Sequence, residues 1–410
     1  MRRIALIALA ALAAAPATAA AQDALVKSLT RNMRAAGANS GAYVVNLTDG
    51  QTVFRWREKS SRILASNTKL FTTAAALARF GTEGTLGTEV HGVGELDEQG
   101  VYRGDLYLRG GGDPTFGTRT FTRRSYGQGA SVEQLAALLE EAGISRVSGR
   151  VYGDESRFDS LRGGPDSGYA TSIWVGPLSA LSFNRGLGNE SGSSFQTNPP
   201  LFAAARLEAA LETRGVRVRL KPRAGVAPAD AEVLASVDSP PMATLIRLTN
   251  KPSDNYLAEM LLKGLALQAR GKGTTRAGAQ VAAGYARRLG SGARLADGSG
   301  LSRADRASPR QVVTLLSELY QLDLDEYAQD FFDSLPIAGR DGTLATRMRS
   351  GPARSRCHAK TGTLSNVSAL SGYCLAHSGD VYVFSFLMNY VYPPGARALQ
   401  DAMAQAIAAQ

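Results

Sequence analysis

Ala65-Ser66-Asn67-Thr68-Lys69-Leu70-Phe71 places a serine and a lysine three residues apart at the start of an apolar-periodic run. Leu70, Ala74, Leu77 and Ala78 recur at helical spacing, so the stretch predicts a buried helix with Ser66 at its N-terminal end and a stop near Gly81. Residues three apart share a helix face, which makes Ser66 and Lys69 neighbours. A serine hydroxyl is a poor nucleophile until a base takes its proton, and an uncharged lysine amine can be that base. Free lysine has a pKa of about 10.4, so the amine must be desolvated or set beside another cation. A buried helix start supplies the desolvation, together with N–H groups that point outward to stabilise an oxyanion. Taken alone, S-x-x-K is a pattern that chance supplies about once in a chain this long, and a solvated helix start reads the same way.

The 410 residues are 44% hydrophobic and 20% charged, a globular composition with room for two or three domains and no repeat. Arg2 and Arg3, an apolar run from Ile4 to Ala15 and small residues from Ala17 to Ala21 read as a secretory signal over residues 1–21, cut after Ala19 or Ala21. That run is shorter than the roughly 20 residues of a membrane span, and no later stretch is apolar enough to be a transmembrane anchor. No cysteine stands at the boundary for lipid attachment, and the twin arginines lack the longer motif of folded-protein export. Losing Arg2 and Arg3 with the leader lowers the formal charge from +10 to +8. The remaining arginines are dispersed and not blocked, which argues for solvated surface and no nucleic-acid partner. His91, His358 and His377 are scattered without an H-x-x-x-H pair, so no metal site is expected. The absence of G-x-S-x-G speaks against a Ser-His-Asp hydrolase.

Working outward from Ser66, a helix is predicted from Asp23 to Ala36, then strands Gly41–Asn46 and Gln51–Trp56 joined at Asp49-Gly50. Residues 81–239 change texture: glycine is frequent, Asp105–Arg109 and Arg150–Gly153 read as strands, and Ser131–Ala142 and Leu201–Thr213 as helices. This is an inserted α+β domain. Helices follow at Met242–Leu248, Asn255–Ala269, Arg276–Arg288 and Pro309–Leu322. Strands at Arg356–Lys360, Val367–Leu375 and Val381–Asn389 and a helix at Ala396–Ala409 close the chain.

Two further patterns strengthen the Ser66 signal. Ser253-Asp254-Asn255 opens a helix, and Lys360-Thr361-Gly362-Thr363 ends a strand that turns into the next. S-x-x-K, S-D-N and K-T-G in that order mark penicillin-binding proteins and class A β-lactamases. A second S-x-N, Ser182-Phe183-Asn184, shows that each piece is cheap; the ordered set is not. The chain resembles the low-molecular-mass class C penicillin-binding proteins, D-alanyl-D-alanine carboxypeptidases and endopeptidases of peptidase family S13. The resemblance covers nearly all of the mature chain and includes the large insertion between Lys69 and Ser253. It also includes Gly111-Gly112-Asp113-Pro114-Thr115, Asp297-Gly298-Ser299-Gly300-Leu301-Ser302 and Asp341-Gly342-Thr343-Leu344. It departs from the family where an extra subdomain would begin near Asn184, because about 15 polar residues lead directly to the Leu201 helix.

The resemblance implies an α/β transpeptidase-like catalytic domain, residues 22–80 and 240–410, with an antiparallel sheet flanked by helices and residues 81–239 inserted. It implies Ser66 as nucleophile, Lys69 as base, and Ser253, held by Lys69 and Asn255, as proton relay to the leaving D-alanine. Lys360, Thr361 and Thr363 would bind the terminal carboxylate, Gly362 would leave room for the backbone, and the N–H groups of Ser66 and Thr363 would form the oxyanion hole. The partners implied are peptidoglycan peptides ending in D-Ala-D-Ala and β-lactams as covalent inhibitors, with no cofactor. Two other readings stay open: a β-lactamase or esterase on the same fold, for which no E-x-x-L-N stretch lies between Asn255 and Lys360, and a peptidoglycan-binding scaffold without turnover. Trp174 reads either as cleft lining from the inserted domain or as partly buried structure. His358 alternates onto the face of Lys360, and plain packing is the simpler reading. The Asp297–Gly300 stretch reads as a turn.

Cys357 and Cys374 are the only cysteines, and export permits them to pair. If the two strands around them pair antiparallel, the midpoint between the cysteines falls within the connection Thr363–Asn366, so they lie opposite or nearly opposite each other. Cross-strand Cβ atoms are then about 4.5–5.5 Å apart, near disulfide range. A bridge there closes a loop of about 16 residues and would stabilise by roughly 3 kcal/mol. Two buried free thiols are the alternative.

Overall fold

The computed structural model describes residues 20–189, 191–321 and 325–410. All but the last two residues of the expected signal segment lie outside them. Five antiparallel strands form the central sheet, in the order Cys357–Leu364, Val367–Leu375, Val381–Asn389, Ser40–Asn46 and Thr52–Trp56. Its central strands are buried at nearly every position because both faces are covered. Val383 and Leu387 point into one core, while Phe384, Phe386 and Met388 point into the other, as the two-residue strand period requires.

On one side lie helices Thr68–Phe80, Met242–Asn250, Asn255–Arg270, Thr275–Arg288 and Pro309–Gln321, and Leu70, Phe71, Leu77, Leu261, Leu265 and Leu316 fill the space between them. On the other side the N-terminal helix, residues 20–35, sends Leu25, Leu29 and Met33 against Met403 and Ile407 of the final helix Pro393–Ala408. Among the described residues no helix is long and apolar enough to cross a membrane.

Residues 87–238 build a second, seven-stranded sheet with its own core. Strands Gly87–Leu96 and Val101–Gly110 pair antiparallel, and Glu232–Asp238 returns to flank the first. Helices Val132–Glu141 and Pro199–Thr213 cover it through Leu135, Leu139, Leu207 and Leu211. Ser131 and Gln134 close a capping box at the start of the first helix, and Asn198 caps the second.

The structure departs from the sequence expectations in places that matter. The strand that begins at Cys357 does not end at Lys360 but runs to Leu364, so the whole K-T-G-T stretch lies within the sheet. The expected strand stopped at Lys360, yet Gly362 is paired with Ala369 and Thr363 with Ser368. The strands Gly87–Leu96 and Glu232–Asp238 and the helix Asp325–Ser334 are additional to those expected.

Candidate active site

Ser66 sits in a single 3₁₀ turn, Ala65–Asn67, that feeds the helix Thr68–Phe80; the helix itself therefore starts two residues later than the apolar period suggested. That turn is pinned from three directions. Asn389 at the end of its strand accepts from Ile63 N at 2.8 Å and donates to Ile63 O at 3.1 Å. Asn67 Nδ2 donates to the Lys360 carbonyl at 3.0 Å. Gly362 presses against the turn so closely that a Cβ there would lie 2.9 Å from Leu64 O and 3.1 Å from Ser66 N, which is why the sheet needs glycine at this position.

Lys69 is wholly buried. Its amine donates to Ser66 Oγ at 3.1 Å, to Asn255 Oδ1 at 2.7 Å and to the Ser299 carbonyl at 2.7 Å. Those three acceptors match the three protons of an ammonium, and none is a carboxylate. Burial pulls Lys69 down to about 8, against the opposing pull of Asp297, Asp254, Glu259 and Asp305. The amine is thus within reach of its neutral form near physiological pH and already hydrogen-bonded to the serine it would deprotonate.

Ser253 lies in the same cleft, at a positive φ of 63°, just before Asp254 caps the Asn255–Arg270 helix. Its expected hold by Lys69 and Asn255 is not made: all three Lys69 donors are engaged elsewhere, and Asn255 Nδ2 donates to the Trp174 carbonyl at 3.2 Å. The Ser253 turn is held instead from the second sheet's side of the molecule. Arg185 grips Asp254 with two hydrogen bonds of 2.5 and 3.0 Å and stacks over Tyr256, whose hydroxyl meets Ser182. The spare S-x-N thus serves the S-D-N helix, with Asn184 also accepting from Thr118 N.

Lys360 is buried, and its amine donates to the Thr361 carbonyl at 3.0 Å. Burial first, then the Lys69 charge, pushes it well below the ordinary lysine range. Thr361 donates to Thr343 Oγ1 at 2.7 Å, and Thr363 accepts from Arg397 at 3.1 Å. Thr343, Thr361, Thr363 and Arg397 line a cleft of about 920 Å³ together with Ser66, Ser253 and Asn255, with Asp166 and Trp174 on the second-sheet side, while Lys360 lies buried behind that lining. Trp174 is 64% exposed and lines this cleft. His358 stacks on Phe332 with ring centroids 4.1 Å apart and is not among the cleft-lining residues. Cys357 and Cys374 are directly paired in the sheet register and joined by a disulfide, with Cα atoms 4.0 Å apart, three residues before Lys360.

Arg347, Arg397, Thr343 and Asp166 are cleft residues that sequence reading left without a role. Thr343 was signalled by its D-G-T-L stretch; nothing local distinguishes Arg397, on the first turns of the final helix. Among the described residues no group of three or more potential metal ligands occurs.

A serine–lysine pair at the mouth of a helix, faced by an S-x-N turn and a K-T-G strand at a sheet edge, defines the penicillin-binding transpeptidase class of fold. The chain belongs to the D-Ala-D-Ala carboxypeptidase 3 (S13) family, whose profile matches residues 22–194 and 188–410. The two segments meet within the polar stretch that precedes the Pro199 helix. A D-alanyl-D-alanine carboxypeptidase of Actinomadura sp. (strain R39) is 32% identical over 487 aligned positions, covering 97% of this chain and 87% of the relative. That alignment is longer than this chain, so the relative carries segments without a counterpart here. The crystal structure of penicillin binding protein 4 from Haemophilus influenzae superimposes with a TM-score of 0.75 at 21% identity, over 92% of this chain and 97% of that one. A penicillin G acylated endopeptidase from Bdellovibrio bacteriovorus, in complex with an immunity protein, superimposes with a TM-score of 0.53 at 18% identity, over 90% of this chain and 91% of that one.

Proposed function

We propose that the protein is an exported serine DD-peptidase that removes the terminal D-alanine from peptidoglycan stem peptides and cleaves D-alanyl cross-links through an acyl-enzyme on Ser66. The observation that carries this reading is the buried Lys69 amine, hydrogen-bonded to Ser66 Oγ and held by neutral acceptors alone. Ser66 attacks the penultimate D-alanine carbonyl and Lys69 takes its proton. The N–H groups of Ser66 and Thr363 receive the oxyanion, and the proton that Lys69 took is delivered by way of Ser253 to the departing amine, which leaves Lys69 neutral again. Water then repeats the sequence on the ester. The cleft of about 920 Å³ has the size of a peptide-binding site.

Lys69 and Lys360 disfavour each other's charge, so binding of a carboxylate beside Lys360 would draw the proton there and leave Lys69 neutral. Substrate binding would thereby arm the base. Thr361, Thr363 and Arg397 complete the anion's surroundings. Lys360→Ala should raise KM for a D-Ala-D-Ala peptide by about 100-fold or more, and Lys360→Arg should recover part of it as a cation of different shape. Steady-state kinetics decide this; equal loss in both variants with unchanged peptide binding would contradict the role.

Separate cores support a division into a catalytic domain of residues 22–80 and 240–410 and an inserted domain of 81–239, in which the family's extra subdomain is missing or very short. Export is supported by the Arg2–Ala21 leader pattern and by the disulfide, which fits an oxidising compartment such as the periplasm or the extracellular wall. Benzylpenicillin tests the reading: intact-protein mass spectrometry should find a long-lived adduct on Ser66. Rapid return to the free mass with the drug consumed would point to a β-lactamase, and an adduct formed equally by Ser66→Ala would exclude both.

A further inference from the structure

The helix that presents Asn255 to Lys69 carries a second polar residue one turn further on, on the same face. Glu259 is wholly buried, and its Oε1 accepts from two successive backbone groups, Gly298 N at 3.0 Å and Ser299 N at 2.8 Å. The carbonyls of the same two residues point the other way. Gly298 O accepts from Thr72 Oγ1 at 2.9 Å, and Ser299 O accepts from Lys69 Nζ at 2.7 Å. The turn is therefore stretched between the Asn255 helix and the Ser66 helix, with Glu259 on one side and Lys69 on the other.

We infer that Glu259 is a positioning residue for the Lys69 amine, acting through the Ser299 carbonyl. The inference rests on the serine-peptidase reading above and adds a residue to its machinery. The fit leaves the turn no slack. A Cβ at Gly298 would lie 2.6 Å from Ala258 O, and one at Gly300 would lie 1.8 Å from Ala65 O, so the turn is wedged between the backbones of both helices. Asp297 closes the turn internally through Gly300 N at 2.6 Å and Ser302 N at 2.7 Å, and Asp305 accepts from Ala296 N at 2.6 Å. Among the described residues, Glu259 alone ties it to the Asn255 helix through a side chain's two-point grip.

Glu259 is a costly choice for that task if packing were all it did. Its second oxygen, Oε2, is buried without a hydrogen-bond partner. Burial, then Asp297, raises Glu259 above the ordinary carboxylate range. The ionisable groups that act on this corner are Asp297 and Asp305 from the turn, Lys69 from the Ser66 helix and Lys263 from Glu259's own helix. A neutral acceptor sets the amine's direction without locking it as an ammonium, which a carboxylate in contact with Lys69 would do.

Glutamine keeps the acceptor oxygen, aspartate is one methylene too short to reach both N–H groups, and alanine removes the grip. The test is the second-order rate of Ser66 acylation by a fluorescent penicillin at pH 8.0 to 9.5, roughly its plateau, with far-UV circular dichroism and thermal unfolding as controls for folding. Glu259→Gln should acylate within about threefold of the wild-type protein, and Glu259→Asp and Glu259→Ala should be slower by about 30-fold or more with the helical signal unchanged. Should Glu259→Ala fail to fold, the ratio of the aspartate to the glutamine variant decides alone. A folded alanine or aspartate variant as fast as wild type, or a glutamine variant as slow as the aspartate one, would overturn the inference. Absence of acylation in the wild-type protein would instead overturn the serine-peptidase reading on which it rests.

Discussion

Ser66→Ala should lower kcat for release of D-alanine from a stem pentapeptide by about 10⁶-fold, the loss typical when a serine peptidase loses its nucleophile. The reason is geometric. Ser66 Oγ is the hydroxyl hydrogen-bonded to the Lys69 amine, and it stands beside its own N–H at the mouth of the turn. Removing one partly exposed hydroxyl leaves the turn's anchors at Ile63, Asn67 and Gly362 intact, so thermal stability should change by less than about 1 kcal/mol. Retained turnover in that variant would require another nucleophile. A parallel drop in melting temperature would mark the loss as structural.

Lys69→Met carries the second-largest expected effect. The substitution keeps most of the buried volume and removes the base, which should reduce acylation by about 10³- to 10⁴-fold. Two contributions to stability oppose each other. Asn255 Oδ1 and Ser299 O each lose a partner, at about 1–3 kcal/mol apiece, while an ammonium no longer has to be desolvated. The variant should consequently remain folded. In the wild-type protein the neutral fraction of an amine with a pKa of about 8 falls tenfold for each pH unit below it. Acylation should therefore rise by about 100-fold from pH 6 to pH 9 and level off above pH 8 to 9. The sign follows from the base being active when unprotonated: burial lowers the pKa, so activity extends to lower pH than an exposed lysine allows. A stopped-flow pH profile checks it, and a rate independent of pH over this interval would remove Lys69 as the base.

How much of this was legible beforehand depends on how local each constraint is. The Ser66 helix, the S-D-N helix start and the three closing strands announce themselves by period and by motif, because each is fixed by its own neighbours in the chain. The end of the Lys360 strand did not. Gly362 reads as a breaker, yet it continues the strand because the Ser66 turn approaches too closely for any Cβ, a contact formed across almost 300 residues. The Gly87–Leu96 strand was hidden for a related reason: Gly92 lies under the Tyr102 hydroxyl and Gly94 against the backbone of Arg103, so residues that dilute the β pattern are the ones the sheet requires. Arg185, Glu259 and Arg397 carry no local signal. Their roles arise from pairings with Asp254, the Ser299 turn and Thr363 that only the folded chain creates.

The central claim is that Ser66, armed by Lys69, opens the bond on the carboxyl side of a D-alanine, whether the leaving amine belongs to the terminal D-alanine or to a cross-linked stem peptide. The most direct measurement incubates the purified protein with a synthetic stem pentapeptide ending in D-Ala-D-Ala and with a cross-linked muropeptide, and identifies the products by mass, with Ser66→Ala in parallel. The account predicts that the wild-type protein converts pentapeptide to tetrapeptide plus free D-alanine and separates the cross-linked pair, while the variant leaves both intact. Unchanged substrates with the folded wild-type protein, or cleavage at any other bond, would contradict it.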